Sequence, residues 1–232
     1  MKRSVFIILL FTFSGCKPHE VKEVRESFPN KQDHIVRYYK DEKHNKLNYR
    51  KEVFYQNGKK DYVGEIVNGE KSGIWIWWYE NGQKKDQCKY DAGYYIDTVY
   101  HWYENGNLRQ LEIMLVKSKR TDSCSACDGT IIRYNKDGSL SERSTRVDGK
   151  LEGFSIHYDN GNYRSRTYKN DTLNGPAVEY YKNTDSTEES TVRGDYKNGK
   201  EDGLWKVFLK DSILYKTIVY KEGMNIRNIM AK

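Results

Sequence analysis

Cys124-Ser125-Ala126-Cys127 is the place in this chain where spacing alone suggests chemistry, because two thiols three residues apart can oxidise, exchange or hold a metal. With Cys88 and either His101 or His157, the pair would supply the sulfur and nitrogen donors of a zinc site. A second Cys-x-x-Cys is absent, however, and neither histidine stands at ligand spacing. Outside the cytoplasm the pair reads as a local Cys124–Cys127 disulfide, or as a source of a longer bridge to Cys88. A thioredoxin-like role would need a helix amino terminus in a βαβ setting, which a β-rich chain does not supply. No metal and no cofactor is therefore expected.

Catalytic residues are not expected either. Of the five histidines, His19, His34 and His44 lie in a charged N-terminal stretch. The chain has no Gly-x-Ser-x-Gly turn, no phosphate-cradling loop and no paired-histidine helix. Arg133, Arg143, Arg146, Arg164 and Arg166 would suit phosphate if they aligned, but Glu142, Asp148, Glu152 and Asp159 are interspersed. They read as a solvated charged face, and nucleic acid is not expected. The remaining candidates are aromatic. Trp75, Trp77, Tyr79, Tyr103 and Trp205 fall opposite the main apolar stripe or at turn tips. Stacked rings can form a platform for peptides, sugars or a partner's side chains, or can simply pack. Trp75 and Trp77 are the foremost binding candidates.

The elements that must carry these rings follow from a repeat. A leading glycine is followed five residues later by an aromatic and then by a turn. Gly73 leads to Trp78 and Asn81-Gly82, Gly129 to Tyr134 and Asp137-Gly138, and Gly153 to Tyr158 and Asn160-Gly161. Asp97 stands in for glycine ahead of Trp102 and Asn105-Gly106, and Gly175 and Gly203 lead to Tyr180 and Phe208. Turn glycines 58, 82 and 106 are 24 residues apart, the period of a repeat array. Positions one, three and five after each leading residue are apolar or aromatic in 14 of 18 cases, from Ile74, Ile76 and Trp78 to Leu204 and Phe208. A period of two predicts half-buried strands with that stripe inward. The Asn-Gly and Asp-Gly tips predict two-residue hairpin turns. One unit is one β-hairpin, which is marginal alone and must stack on its neighbours. The expected fold is all-β: a single-domain, elongated antiparallel sheet of tandem hairpins.

Three stretches carry a family resemblance: Asn198-Gly199-Lys200-Glu201-Asp202-Gly203-Leu204-Trp205, Asn68-Gly69-Glu70-Lys71-Ser72-Gly73-Ile74-Trp75 and Asp148-Gly149-Lys150-Leu151-Glu152-Gly153-Phe154. They resemble bacterial MORN repeats (membrane occupation and recognition nexus), and the likeness covers about residues 47–222. Asp97, the missing tip glycine near Lys182-Asn183 and the 118–128 insertion depart from the pattern. The resemblance implies a binding or scaffold role, and bacterial relatives are often labelled antitoxins.

The ends read differently. Lys2-Arg3, the apolar run Val5 to Phe13 and Ser14-Gly15 form a secretory signal pattern over residues 1–15, too short to span a bilayer. Cys16 directly after Ser-Gly makes it similar to a bacterial lipoprotein signal, in which Cys16 would be lipidated; Phe13 stands where leucine is more usual. Residues 16–45 read as a lipidated, solvated tether leading into a degenerate first strand around Ile35-Val36-Arg37-Tyr38-Tyr39, 46–222 as the repeat array and 223–232 as a tail. Loss of Lys2 and Arg3 leaves 38 cations against 33 acidic residues, so an acidic partner is allowed but not implied. Twenty tyrosines in a chain of low mean hydropathy suit a thin sheet rather than a thick core. The expected function is a lipid-anchored, non-enzymatic module at the bacterial envelope, facing the periplasm or cell surface, that binds or scaffolds a protein. The alternative is an antitoxin or immunity protein that occludes one toxin. Glycan binding through the aromatics is a third reading.

Overall fold

Strict alternation and a turn at every strand end give strands and no helix among the residues that the computed structural model describes, 20–40, 46–114, 128–182, 189–210 and 213–231. The first nine strands are β1 (Val21–Ser27), β2 (Asp33–Tyr39), β3 (Tyr49–Phe54), β4 (Lys60–Val67), β5 (Glu70–Trp78), β6 (Lys84–Asp91), β7 (Tyr94–Trp102), β8 (Leu108–Met114) and β9 (Gly129–Tyr134). The next four are β10 (Leu140–Val147), β11 (Lys150–Leu151), β12 (Gly153–Asp159) and β13 (Asn162–Lys169). The last five are β14 (Thr172–Lys182), β15 (Glu189–Lys197), β16 (Lys200–Leu209), β17 (Ile213–Lys221) and β18 (Met224–Met230). Each pairs antiparallel with its neighbour in sequence, and β10 pairs with both β11 and β12, which act as one interrupted strand. The chain is thus one elongated, open sheet of consecutive hairpins, a single domain.

The array is longer than the sequence suggests at both ends. Residues 21–39 are a hairpin rather than a tether: Val36 and Tyr39 are buried, and β2 pairs onto β3. Its tip, Phe28-Pro29-Asn30-Lys31, makes the same two backbone hydrogen bonds as Tyr55-Gln56-Asn57-Gly58. Lys31 at φ 69° occupies the position that glycine holds elsewhere, which hides the unit from a search for tip glycines. At the other end, residues 224–230 pair with β17 instead of fraying.

Two kinds of turn join the strands. At Asn68-Gly69, Asp148-Gly149, Asn160-Gly161 and Asn198-Gly199 both residues have positive φ, as a two-residue hairpin turn requires. The tips at Gly58, Gly82, Gly106 and Gly138 differ from that expectation. There the glycine alone is left-handed, and the chain makes a tight turn followed by a one-residue bulge, as in Gly82 N to Tyr79 O and Tyr79 N to Gln83 O. The asparagine earns its place with its side chain: Asn81 Oδ1 accepts from Gln83 N at 2.8 Å, and its amide donates to Glu104 O of the next unit at 3.0 Å.

The faces are reversed relative to the apolar count. Positions two and four, not one, three and five, hold most of the core: Trp75, Val99, His101, Ala177 and Trp205 are buried, whereas Ile74, Phe154 and Leu204 are exposed. The cause lies at the leading glycine. Val63 pairs with Ile76 and Glu65 with Ser72, so Gly64 alone faces Gly73, Ile74 and Trp75. This irregularity, with Gly73 at φ 67°, folds the Trp75 indole back onto the Gly64 backbone. With no second layer among the described residues, the sheet buries what its own strands can cover. Trp75, Cys88, Tyr90 and Val99 form one core cluster, flanked by Tyr62, Ile66, Trp77 and Tyr95.

Candidate functional site

The aromatic candidates are mostly structural. Trp75 and Trp205 are 2% and 4% exposed, so neither can serve as a docking ring. Both indole N–H groups donate to the backbone ten residues upstream, Trp75 to Glu65 O at 3.2 Å and Trp205 to Asp195 O at 3.1 Å. Trp77 is half-buried, with its ring 5.8 Å from that of Trp75 and 6.3 Å from that of Tyr62. Tyr79 and Tyr103 tie one unit to the next, each hydroxyl donating to a carbonyl of the following tip, Trp102 O at 2.8 Å and Tyr134 O at 2.9 Å. Tyr55 does the same to Trp78 O, and burial beside Asp61 pushes its hydroxyl up to about 12. Cys16, Cys124 and Cys127 lie outside the described residues, while Cys88 is a buried thiol that faces Trp75 from the adjacent strand β6.

A second constellation was not anticipated. Position four of successive units, with its cross-strand partners, forms one polar row over eight strands. Asp86 faces His101, His101 faces Gln110, Gln110 faces Arg133, Arg133 faces Glu142, and the row continues through His157, Arg164 and Glu179. Acids meet basic or amide side chains at several of these steps, and hydrogen bonds stitch them together. Asp86 Oδ1 lies 2.5 Å from His101 Nδ1, and Glu112 Oε1 lies 3.2 Å from His101 Nε2. Gln110 donates to Glu112 at 2.6 Å and accepts from Arg133 at 3.1 Å. Arg133 donates to Glu142 at 2.5 Å, and Arg166 pairs with Glu179 further along. Two of the five arginines of the suspected basic stripe are therefore neutralised, and Arg143 faces Ile132 and Ile156 on the opposite side of the sheet.

His101 is 7% exposed. Burial pushes its pKa down, but the hydrogen bonds and charges of Asp86 and Glu112 outweigh it and hold it above the ordinary histidine value. Both ring nitrogens are committed to carboxylates, so the ring offers no free lone pair to a metal or a nucleophile. Among the described residues no group of three or more histidine, cysteine or acidic side chains could hold a metal ion. The row is a charged seam that locks strand register on one face. Its sequence signal was present: His101, Arg133, His157 and Glu179 all occupy position four, where an apolar core would not place them.

The other face carries exposed apolar side chains at position one, Ile74 at 55%, Phe154 at 49% and Leu204 at 57%. Each stands one residue from a leading glycine, and Ile113 and Pro176 are also exposed on this face. Isolated exposed aliphatics are ordinary, but recurrence at one repeat position on one sheet face forms a surface feature. No protein-family model matches the chain, and no curated protein is significantly similar to it.

Proposed function

We propose that this chain is a lipid-anchored, non-enzymatic repeat protein of the bacterial envelope that binds a protein partner. One observation carries the reading: the position-one residues Ile74, Phe154 and Leu204 stay exposed on an open sheet face while most of the apolar core, Trp75, Cys88, Tyr90, Val99, Ala177 and Trp205, is built on the other side. A periodic apolar row gives a partner repeated anchor points at fixed spacing, and a scaffold needs such a surface more than it needs a pocket. The polar seam supports the same reading, since its buried histidine, His101, is consumed in ion pairing. Cys16 supplies the anchor in this account, and more than one acyl chain would be needed for firm attachment.

The test has two arms. Lipid labelling and fractionation of the native chain beside Cys16→Ala should show lipid uptake and membrane recovery for the native chain only. Photo-crosslinking from position 154 in the producing cell should trap a discrete protein, and crosslinking from buried position 205, remote from the N-terminal strands, should not. A native chain without lipid would remove the anchor; equal trapping from both positions would remove the docking row.

A further inference from the structure

The N-terminal quarter of the sheet carries a set of cations that no carboxylate among the described residues approaches to ion-pair distance. Arg37 on β2, Lys51 on β3 and Lys71 on β5 all project from the face that bears Trp75. Arg37 and Lys51 are direct cross-strand partners, an arrangement that like charges disfavour. Beneath them is an aromatic floor. The Arg37 guanidinium lies 4.4 Å from the centroid of Tyr49, and Lys51 Nζ lies 5.2 Å from that of Tyr62. Lys71 Nζ sits among three rings, 4.6 Å from Trp75, 5.3 Å from Trp77 and 4.9 Å from Tyr90, and donates to the Tyr90 hydroxyl at 3.3 Å.

Nearby acids are used elsewhere. Glu23 faces Arg37 and feels its charge, but its hydrogen bonds go to Arg25 at 2.9 Å and the Tyr39 hydroxyl at 2.9 Å. Glu52 and Glu65 belong to the opposite face, and Glu52 binds Arg50 and Lys60 there. Among the described residues none of the three cations has a carboxylate within ion-pair distance, and the buried Nε of Arg37 has no hydrogen-bond partner. Burial, together with the charge of Lys51, lowers the pKa of Lys71, a cost that an external anion would relieve.

We propose that this patch docks an extended acidic segment of a protein partner; the proposal rests on the protein-binding reading above. Geometry selects the occupant. Arg37 and Lys71 are three strand steps apart, roughly 14 Å at the usual interstrand spacing, too far for one phosphate to bridge. An extended peptide places alternate side chains about 7 Å apart, so successive carboxylates can meet Arg37, Lys51 and Lys71 in turn. Apolar or aromatic residues between them would lie on Tyr49, Tyr62 and Trp77, which are only half-buried.

The experiment uses the full-length chain in non-ionic detergent and a fluorescein-labelled octapeptide of alternating glutamate and tyrosine, with its glutamine counterpart as control. Anisotropy should show binding of the glutamate peptide, weakened about tenfold or more by glutamine replacement and by added salt. The double variant Lys51→Gln/Lys71→Gln, its fold checked by circular dichroism, should lose about the same factor. Equal binding of the two peptides, binding of neither, or full binding by the double variant overturns the proposal. Capture of phosphatidylglycerol vesicles without capture of the peptide overturns it too and assigns the patch to lipid. None of these outcomes touches crosslinking from position 154, so failure here and failure of the protein-binding reading are separable.

Discussion

The indole of Trp205 lies across the backbone of Gly194, and a β-carbon built on that glycine would stand 2.2 Å from the ring. Trp75 lies across Gly64 in the same way, with the corresponding distance at 2.1 Å. Each glycine is the single residue opposite three on the next strand, so the ring covers a stretch of backbone that regular pairing leaves open. The pair acts as one unit of packing repeated 130 residues apart.

Gly194→Ala should therefore destabilise the sheet by about 2–3 kcal/mol, because the methyl meets the indole rather than solvent. Gly64→Ala should cost a similar amount. Neither glycine needs a positive φ, so the effect would be steric and not conformational. Urea denaturation measures it. Loss of less than about 0.5 kcal/mol, the range of a neutral surface change, would show that the ring moves aside freely.

Asp97 occupies the leading-glycine position at φ 68°, close to Gly73 at 67° and Gly203 at 72°. A β-carbon on Gly203 or Gly153 would touch nothing within 4 Å, so space does not explain the glycine preference; backbone conformation does. Asp97→Gly should raise stability by about 0.5 kcal/mol, the relief of strain being partly offset by greater freedom of the unfolded chain. Paired thermal melts of the native chain and the variant test the sign. A lower melting temperature would mean that the Thr98 hydroxyl bond to Asp97, at 3.2 Å, outweighs the strain.

His101 gives the sheet a defined response to pH. Its folded pKa is raised above the unfolded value, so its contribution is fully present below about pH 6.5 and lost as pH rises through the raised value. The native chain should melt at a lower temperature at about pH 8.5 than at about pH 6, and His101→Gln should flatten that difference. The facing groups are Asp86 and Glu112, both acidic, so deprotonation leaves two carboxylates around a neutral ring. Equal pH dependence in the variant would mean that another group governs the range.

How far the sequence carried can be judged from particular residues. The hairpin repeat was legible because Gly73, Gly153 and Gly203 and the turn glycines recur at a fixed spacing, which backbone geometry demands. The inward face was not. Counting apolar residues selects Ile74 and Leu204, but in a single-layer sheet burial is decided by which rings can fold onto a neighbouring glycine, and Gly64 and Gly194 belong to the preceding strand. The His101 seam was hidden for a related reason: Asp86 and Glu112 are 15 and 11 residues away, and only strand register brings them together. Of the first hairpin only the strand around residues 35–39 was legible; its partner and tip were not, because Lys31 takes a left-handed position normally marked by glycine.

The reversal of faces makes the most direct test of the proposed docking row. Trp75 is enclosed by Tyr62, Trp77 and Tyr90, with ring centroids 5.8–6.0 Å away, so Trp75→Ala should cost about 3–5 kcal/mol. Phe154 is half exposed and faces Thr167 on the next strand, so Phe154→Ser should change stability by no more than about 0.5 kcal/mol. Combining Phe154→Ser with Leu204→Ser should leave the folded chain intact while abolishing the crosslinked product formed from position 74. A Trp75→Ala chain of native stability would show that the indole is not core, and a double variant that still traps its partner would remove the position-one residues as the docking row. Measuring denaturation and crosslinking on the same preparations separates loss of fold from loss of contact, because the two faces share strands but not side chains.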